Sequence, residues 1–153
     1  MRRLLDRVLY VLYWIPCLWR AWWWDGVYLL DILRHALRYN ARAFRRWGHL
    51  ESNEESAAQM DRAIAVLDRL IADDYASEDL ERWSKKWGEA TWGRSEEHPD
   101  FMRLGFENEK TDEDRQACRQ EALEISAKED GLRAADMDAL LGLLREHLFE
   151  WWD

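Results

Sequence analysis

Proline and glycine are scarce in this chain, with two prolines and seven glycines in 153 residues. Few tight turns can be built from so little, and the many Leu, Ala, Arg and Glu residues favour helix. Cysteine is as rare. Cys17 and Cys118 stand far apart, without CxxC or histidine spacing, which argues against a disulfide scaffold and for reduced thiols of a cytoplasmic protein. A phosphate-cradling glycine loop and a serine elbow are both missing. His35, His49, His98 and His147 are scattered, with no Glu-x-x-His or His-x-x-x-His context. Their spacing gives no metal site, and no cofactor is expected.

What the chain does have is tryptophan and charge, unevenly placed. Residues 1–50 hold nine arginines, no lysine, three acids and six of the eleven tryptophans. That third carries about +6 and the remainder about −15, for a net charge of −9. The overall acidity argues against general nucleic-acid binding, because phosphate affinity grows with cations presented together. A cationic, tryptophan-rich third on an acidic body suits a binding role.

Val8–Trp24 is apolar and aromatic apart from Pro16 and Arg20. It ends in Trp22-Trp23-Trp24-Asp25, where a secretory signal would end in small residues. It is interrupted by Arg20, where a membrane span would want about 20 apolar residues. An interfacial helix tolerates Trp, Tyr and Arg, so membrane contact stays open but is not favoured over self-association. A homo-oligomer joined through this aromatic segment is expected.

Hydrophobic periodicity predicts an all-α helical bundle of about five to six helices around a central antiparallel hairpin. Residues 1–24 form an apolar helix and connector, and 25–153 a single bundle domain. The first helix covers about 3–15, with Leu4, Leu5, Val8, Leu12 and Ile15 on one side, and ends at Pro16. The second covers about 26–47, capped by Asp25 and stopped by Gly48, with apolar positions Leu29, Leu30, Leu33, Leu37, Ala41 and Phe44. Ser52 and Glu55 have capping-box spacing and open a third over about 53–74. It buries Ala57, Met60, Ile64, Leu67 and Ile71. A fourth runs from Ser77 to about Trp87, and residues 88–110 read as irregular, with no strand-like alternation. Thr111 and Asp114 cap a helix over about 112–128. Asp130-Gly131 reads as a turn before a last helix over about 132–151, whose one face carries Met137, Leu140, Leu141, Leu144, Leu148 and Trp151.

Trp14-Ile15-Pro16, Trp24-Asp25 with Tyr28-Leu29-Leu30, Leu67-Asp68-Arg69-Leu70-Ile71 with Asp73-Asp74-Tyr75, Lys86-Trp87-Gly88 and terminal Trp151-Trp152-Asp153 occur in that order. In this the chain resembles a group of small helical proteins encoded by bacteriophages. It departs from them in its longer apolar first helix and in 89–130. The group carries no assigned activity. The resemblance implies a viral accessory protein in the cytoplasm of an infected cell, of a kind that often manages the host or its defences.

Arg34, Arg38 and Arg42 recur every four residues, extended by Arg45 and Arg46. Like charges at this spacing each destabilise a helix by roughly 0.2–0.5 kcal/mol, so something should offset them. Either acids of another helix or subunit do so, or the row is an anion site, since guanidinium forks grip phosphate and carboxylate. The row is expected to lie opposite Leu33 and Leu37. Trp22, Trp23 and Trp24 stand beside it, and aromatic faces stack on nucleobases. Together these eight residues are the candidate ligand-binding set. Glu54, Asp61 and Asp68 repeat every seven residues and line one flank of the third helix. Carboxylate rows can hold Mg²⁺, but this one lacks a second acidic motif.

The leading expectation is a non-enzymatic phage-type counter-defence factor. It would bind a small anionic, nucleotide-like ligand or a host protein through its Arg/Trp-rich third. The alternatives are a structural or membrane-interface protein anchored by residues 1–24, and a Mg²⁺-dependent all-α nucleotide pyrophosphohydrolase using the third-helix carboxylates.

Overall fold

The computed structural model describes residues 2–20, 26–47, 51–94 and 100–151. Among them run α1 (Arg2–Arg20), α2 (Gly26–Trp47), α3 (Glu51–Ala72), α4 (Ser77–Trp87), strands β1 (Ala90–Arg94) and β2 (Met102–Phe106), and α5 (Asp112–His147). The described residues are predominantly all-α, with fewer helices than the six read from the sequence because the last two are one. It falls into two compact units, residues 1–73 with 134–153, and residues 74–133.

In the first unit α2 and α3 form the expected antiparallel hairpin. Leu37 and Ala41 of α2 are buried against Ala57, Met60, Ala63, Ile64 and Leu67 of α3. Leu140 of α5 and Trp151 complete this core. Apolar side chains recurring every three to four residues put one stripe of each helix inside. Trp151 lies beyond the end of α5, buried, and its indole donates to Gln59 Oε1 at 3.2 Å. Two expected core positions are outside. Leu29 is 68% exposed and Leu141 54%. Each is one step, about 100° of helix, from a residue that packs on the core, Leu30 and Leu140.

The opposite side of α2 carries α1. Tyr10, Tyr13 and Trp14 meet His35 and Tyr39 edge to face or tilted, with centroids 4.1–5.1 Å apart. Cys17, one turn on, is buried. This contact explains why α1 does not end at Pro16. Proline inside a helix costs about 3 kcal/mol, by losing its N–H and crowding the preceding turn. Here Cys17 packing beyond Pro16, and the His35 Nε2 atom 2.9 Å from the Tyr13 carbonyl one turn before it, hold the helix through to Arg20. α3 begins at Glu51, two residues before the start expected from the Ser52–Glu55 spacing. Asp25 and Gly48, the expected cap and stop of α2, fall outside the described residues.

In the second unit the segment 88–110 holds an antiparallel hairpin instead of irregular chain, with Ala90 opposite Phe106 and Arg94 opposite Met102. Its alternation is disguised because Thr91, Gly93, Arg103 and Gly105 share one face. The other face carries Ala90, Trp92, Leu104 and Phe106. Phe106 packs edge to face on Trp83 of α4, centroids 4.7 Å apart, and this anchors the ladder. Gly88, at φ 80°, turns the chain out of α4, and a Cβ there would stand 3.0 Å from Glu107. The Thr111–Asp114 capping box forms as expected. Asp114 N–H donates to Thr111 Oγ1 at 3.0 Å, and Thr111 N–H donates to Asp114 Oδ2 at 2.9 Å.

The expected turn at Asp130-Gly131 is helix. Residues 112–147 are continuous, and Arg133 bonds both Glu129 and Asp130 across the position. A glycine in mid-helix costs only about 1 kcal/mol, less than a turn would lose in hydrogen bonds and pairing.

Candidate functional site

The arginine row flanks the apolar face of α2. Arg46 stands opposite Leu37, as expected, but Arg34, Arg38 and Arg45 stand roughly 60°, 100° and 80° round the helix from it. That places them over α3. Arg34 Nη1 donates to Asp68 Oδ1 at 2.8 Å, and Arg38 Nη2 bonds both Asp68 oxygens at 2.9 and 3.0 Å. Arg34 also pairs with Asp31. Arg45 pairs with Asp61 and, at 3.4 Å, with Glu54. The carboxylates that repeat every seven residues on α3 are therefore the partners of guanidiniums on α2. Burial works against charge on Arg34, yet its bonds to Asp68 and Asp31 hold it above its ordinary value. Arg42 and Arg46 point outward, and Arg46 lies over the Trp47 ring at 5.6 Å. Trp22, Trp23 and Trp24 fall outside the described residues, so the eight-residue candidate set is joined only in part. No group of three or more His, Cys, Asp or Glu able to hold a metal occurs among the described residues.

A broad uncovered apolar surface occurs among the described residues of α1. The outer half of α1 is apolar and uncovered. Leu5, Val8, Leu12, Ile15 and Trp19 form its middle, Val11 and Leu18 one edge, and Leu9 the other, all exposed. Trp19 is 83% exposed. At 100° per residue these positions span about half the helix circumference. Their exposed area is on the order of 900 Å², beyond the roughly 300–600 Å² of the largest patch on a typical monomer. The grouping of Leu5, Val8, Leu12 and Ile15 on one side was legible. This side is exposed, as the expected self-association through residues 1–24 requires. No helix of the described residues is long and apolar enough to cross a membrane.

The second unit offers a groove of about 330 Å³ beside α4 and α5, lined by Asp79, Arg82, Trp83, Lys86, Glu121 and Lys128 among others. Five of its charged groups pair with one another. Asp79 takes Arg82 and Lys128, and Glu121 takes Lys86 and, at 2.9 Å, the Trp87 indole. Beneath it the Trp83 indole donates to the Cys118 carbonyl at 3.2 Å. Burial, aided by Glu109, pushes the Cys118 thiol up to about 12, so it stays protonated and unreactive. Compared with known proteins, the chain matches no family model, no curated sequence and no solved structure.

Proposed function

We propose that this chain is a non-enzymatic, phage-type accessory protein that docks through its N-terminal third and acts against a host defence. The observation that carries the docking role is the uncovered apolar half of α1. A contiguous face of this size on an otherwise packed helical unit is the mark of an interaction surface. A binding role also fits the α3 carboxylates, whose oxygens are taken up by Arg34, Arg38 and Arg45 and so are poorly placed to hold Mg²⁺. The viral and counter-defence parts rest on the phage-like residue pattern.

The reading of the arginine row as an anion site is carried less far. Three of its five members are neutralised by α3, which leaves Arg42 and Arg46 for a nucleotide-like ligand. The test is an infection assay in cells carrying a defence system, comparing wild type with Leu12→Glu/Trp19→Glu and with Arg42→Glu/Arg46→Glu. Loss of activity in the first variant alone supports docking through α1. Loss in the second alone returns the function to an anionic ligand. Activity in neither wild type nor variants removes the counter-defence role.

A further inference from the structure

We propose that the surface covering the outer half of α1 is an anionic lipid membrane, with α1 lying in the headgroup layer and not crossing it. This rests on the docking role given to α1 above and names its partner.

Two observations choose lipid over a second copy of the chain. The first is the width of the face. Val11 and Leu18 on one edge and Leu9 on the other are as uncovered as Leu12 in the middle. A single partner helix, packed as a two-stranded coiled coil, covers only the narrow seam of a and d positions. An interfacial helix is immersed about 5–10 Å deep and has a whole half-cylinder covered at once. The second is charge. α1 contains Arg2, Arg3, Arg7 and Arg20 against one acid, Asp6. Paired with its own copy, parallel or antiparallel, the helix would bring arginine-bearing ends together. Lipid phosphates meet those ends with opposite charge, at roughly 1 kcal/mol per basic residue near the surface. Arg7, exposed beside the Val11–Leu18 edge, is placed to reach the phosphates while its stem lies along the apolar layer. Trp19, the most exposed of the described large apolar side chains of α1, is of the type enriched at that depth. The apolar stretch Val8–Trp19 is about 18 Å long at 1.5 Å per residue, against about 30 Å for the hydrocarbon core. It therefore suits lying on the surface.

The experiment is flotation of the full chain with vesicles of phosphatidylethanolamine and phosphatidylglycerol, and with vesicles of phosphatidylcholine alone. The expected result is binding to the anionic vesicles, weakened at least tenfold at 0.5 M salt and at least tenfold by Leu12→Glu/Trp19→Glu, with the variant's melting temperature unchanged. Absence of wild-type binding to anionic vesicles overturns the proposal. So does binding that the variant retains. A stable lipid-free dimer that ignores vesicles and becomes monomeric in the variant would show that a second copy covers α1 instead. The infection assay keeps the two readings apart. A variant inactive in cells, from a wild type that ignores vesicles, leaves docking standing and removes the membrane. A variant active in cells but unable to float removes docking as the function.

Discussion

His35 and Tyr13 hold each other through two hydrogen bonds. His35 Nε2 sits 2.9 Å from the Tyr13 carbonyl, the Tyr13 hydroxyl donates to the His35 carbonyl at 3.2 Å, and the two rings lie 4.1 Å apart at 32°. The pair ties α1 to α2 at the turn that Pro16 weakens. Burial raises the Tyr13 hydroxyl above its ordinary value, against the pull of Arg42 and Arg38.

His35→Ala removes one bond and the ring contact together. It should cost about 1–2 kcal/mol, a fall in Tm of several degrees. Limited proteolysis should then cut within α1 before the α2–α3 hairpin. Cleavage rates equal to wild type would mean that α1 is held by something other than this clamp.

The pairing of Asp68 with Arg34 and Arg38 makes the second prediction. These groups are partly exposed, with side-chain exposures of 22–43%, so solvent screening limits their worth. A double-mutant cycle on Arg38→Ala and Asp68→Ala should give a coupling of about 0.5–1 kcal/mol, smaller in high salt. A coupling of zero would make the row a solvated face and reopen it as a ligand surface.

Much of this architecture is legible from residue spacing. The stripe of Leu33, Leu37 and Ala41, the heptad of Glu54, Asp61 and Asp68, and the Thr111–Asp114 box are local patterns, and each forms as expected apart from its partners. That the acids meet the arginines depends on the register of the α2–α3 hairpin, which no local pattern states. Pro16 and Gly131 mislead for a related reason. Their costs of about 3 and 1 kcal/mol are read locally, while the packing of Cys17 and the bonds of Arg133 that outweigh them are not. The β1–β2 hairpin escapes notice because its glycines occupy one face. The outward direction of the α1 stripe is set by Tyr13 and Trp14 choosing His35 as neighbour, a tertiary fact.

Leu140 and Leu141 are adjacent in α5 and differ in burial, 2% against 54% exposed. Leu140→Ala should destabilise by about 2–5 kcal/mol, and Leu141→Ala by no more than about 0.5 kcal/mol. Denaturant unfolding of both variants checks the rotation of the helix. Equal losses would show that the face is turned from the one described.

The second unit should be acid-sensitive. Asp79 is held below its ordinary value chiefly by the Lys128 bond, Asp114 by the Thr111 hydroxyl, and Glu121 by Lys86 and then the Trp87 indole. A carboxylate depressed in the folded state binds its proton less readily than in the unfolded chain. Its contribution is therefore present above the ordinary values, 3.8 for Asp and 4.5 for Glu, and is lost as pH falls through the depressed ones. Stability should be level near neutrality and decline below about pH 4.5. Glu121→Gln should flatten the upper part of that decline, measured by thermal unfolding across pH. A curve identical to wild type would mean that Glu121 is not ionised against Lys86.

Gly131 separates the two accounts of the chain's C-terminal third. In a turn after Asp130, glycine would be needed for a left-handed backbone, and Ala would destabilise. In a continuous α5, the residue has ordinary helical geometry and a Cβ built on it meets nothing within 4 Å. Alanine then only removes conformational freedom from the unfolded chain and improves helix propensity. Gly131→Ala should therefore stabilise by about 0.5–1 kcal/mol, raising Tm by roughly 1–4 °C for a chain of this size. Helix content by circular dichroism should be unchanged or slightly higher. A lowered Tm would place a break at Asp130-Gly131 and divide α5 in two. Because no neighbouring side chain crowds the new methyl group, such a loss could not be assigned to packing, so the sign of this one change decides between helix and turn.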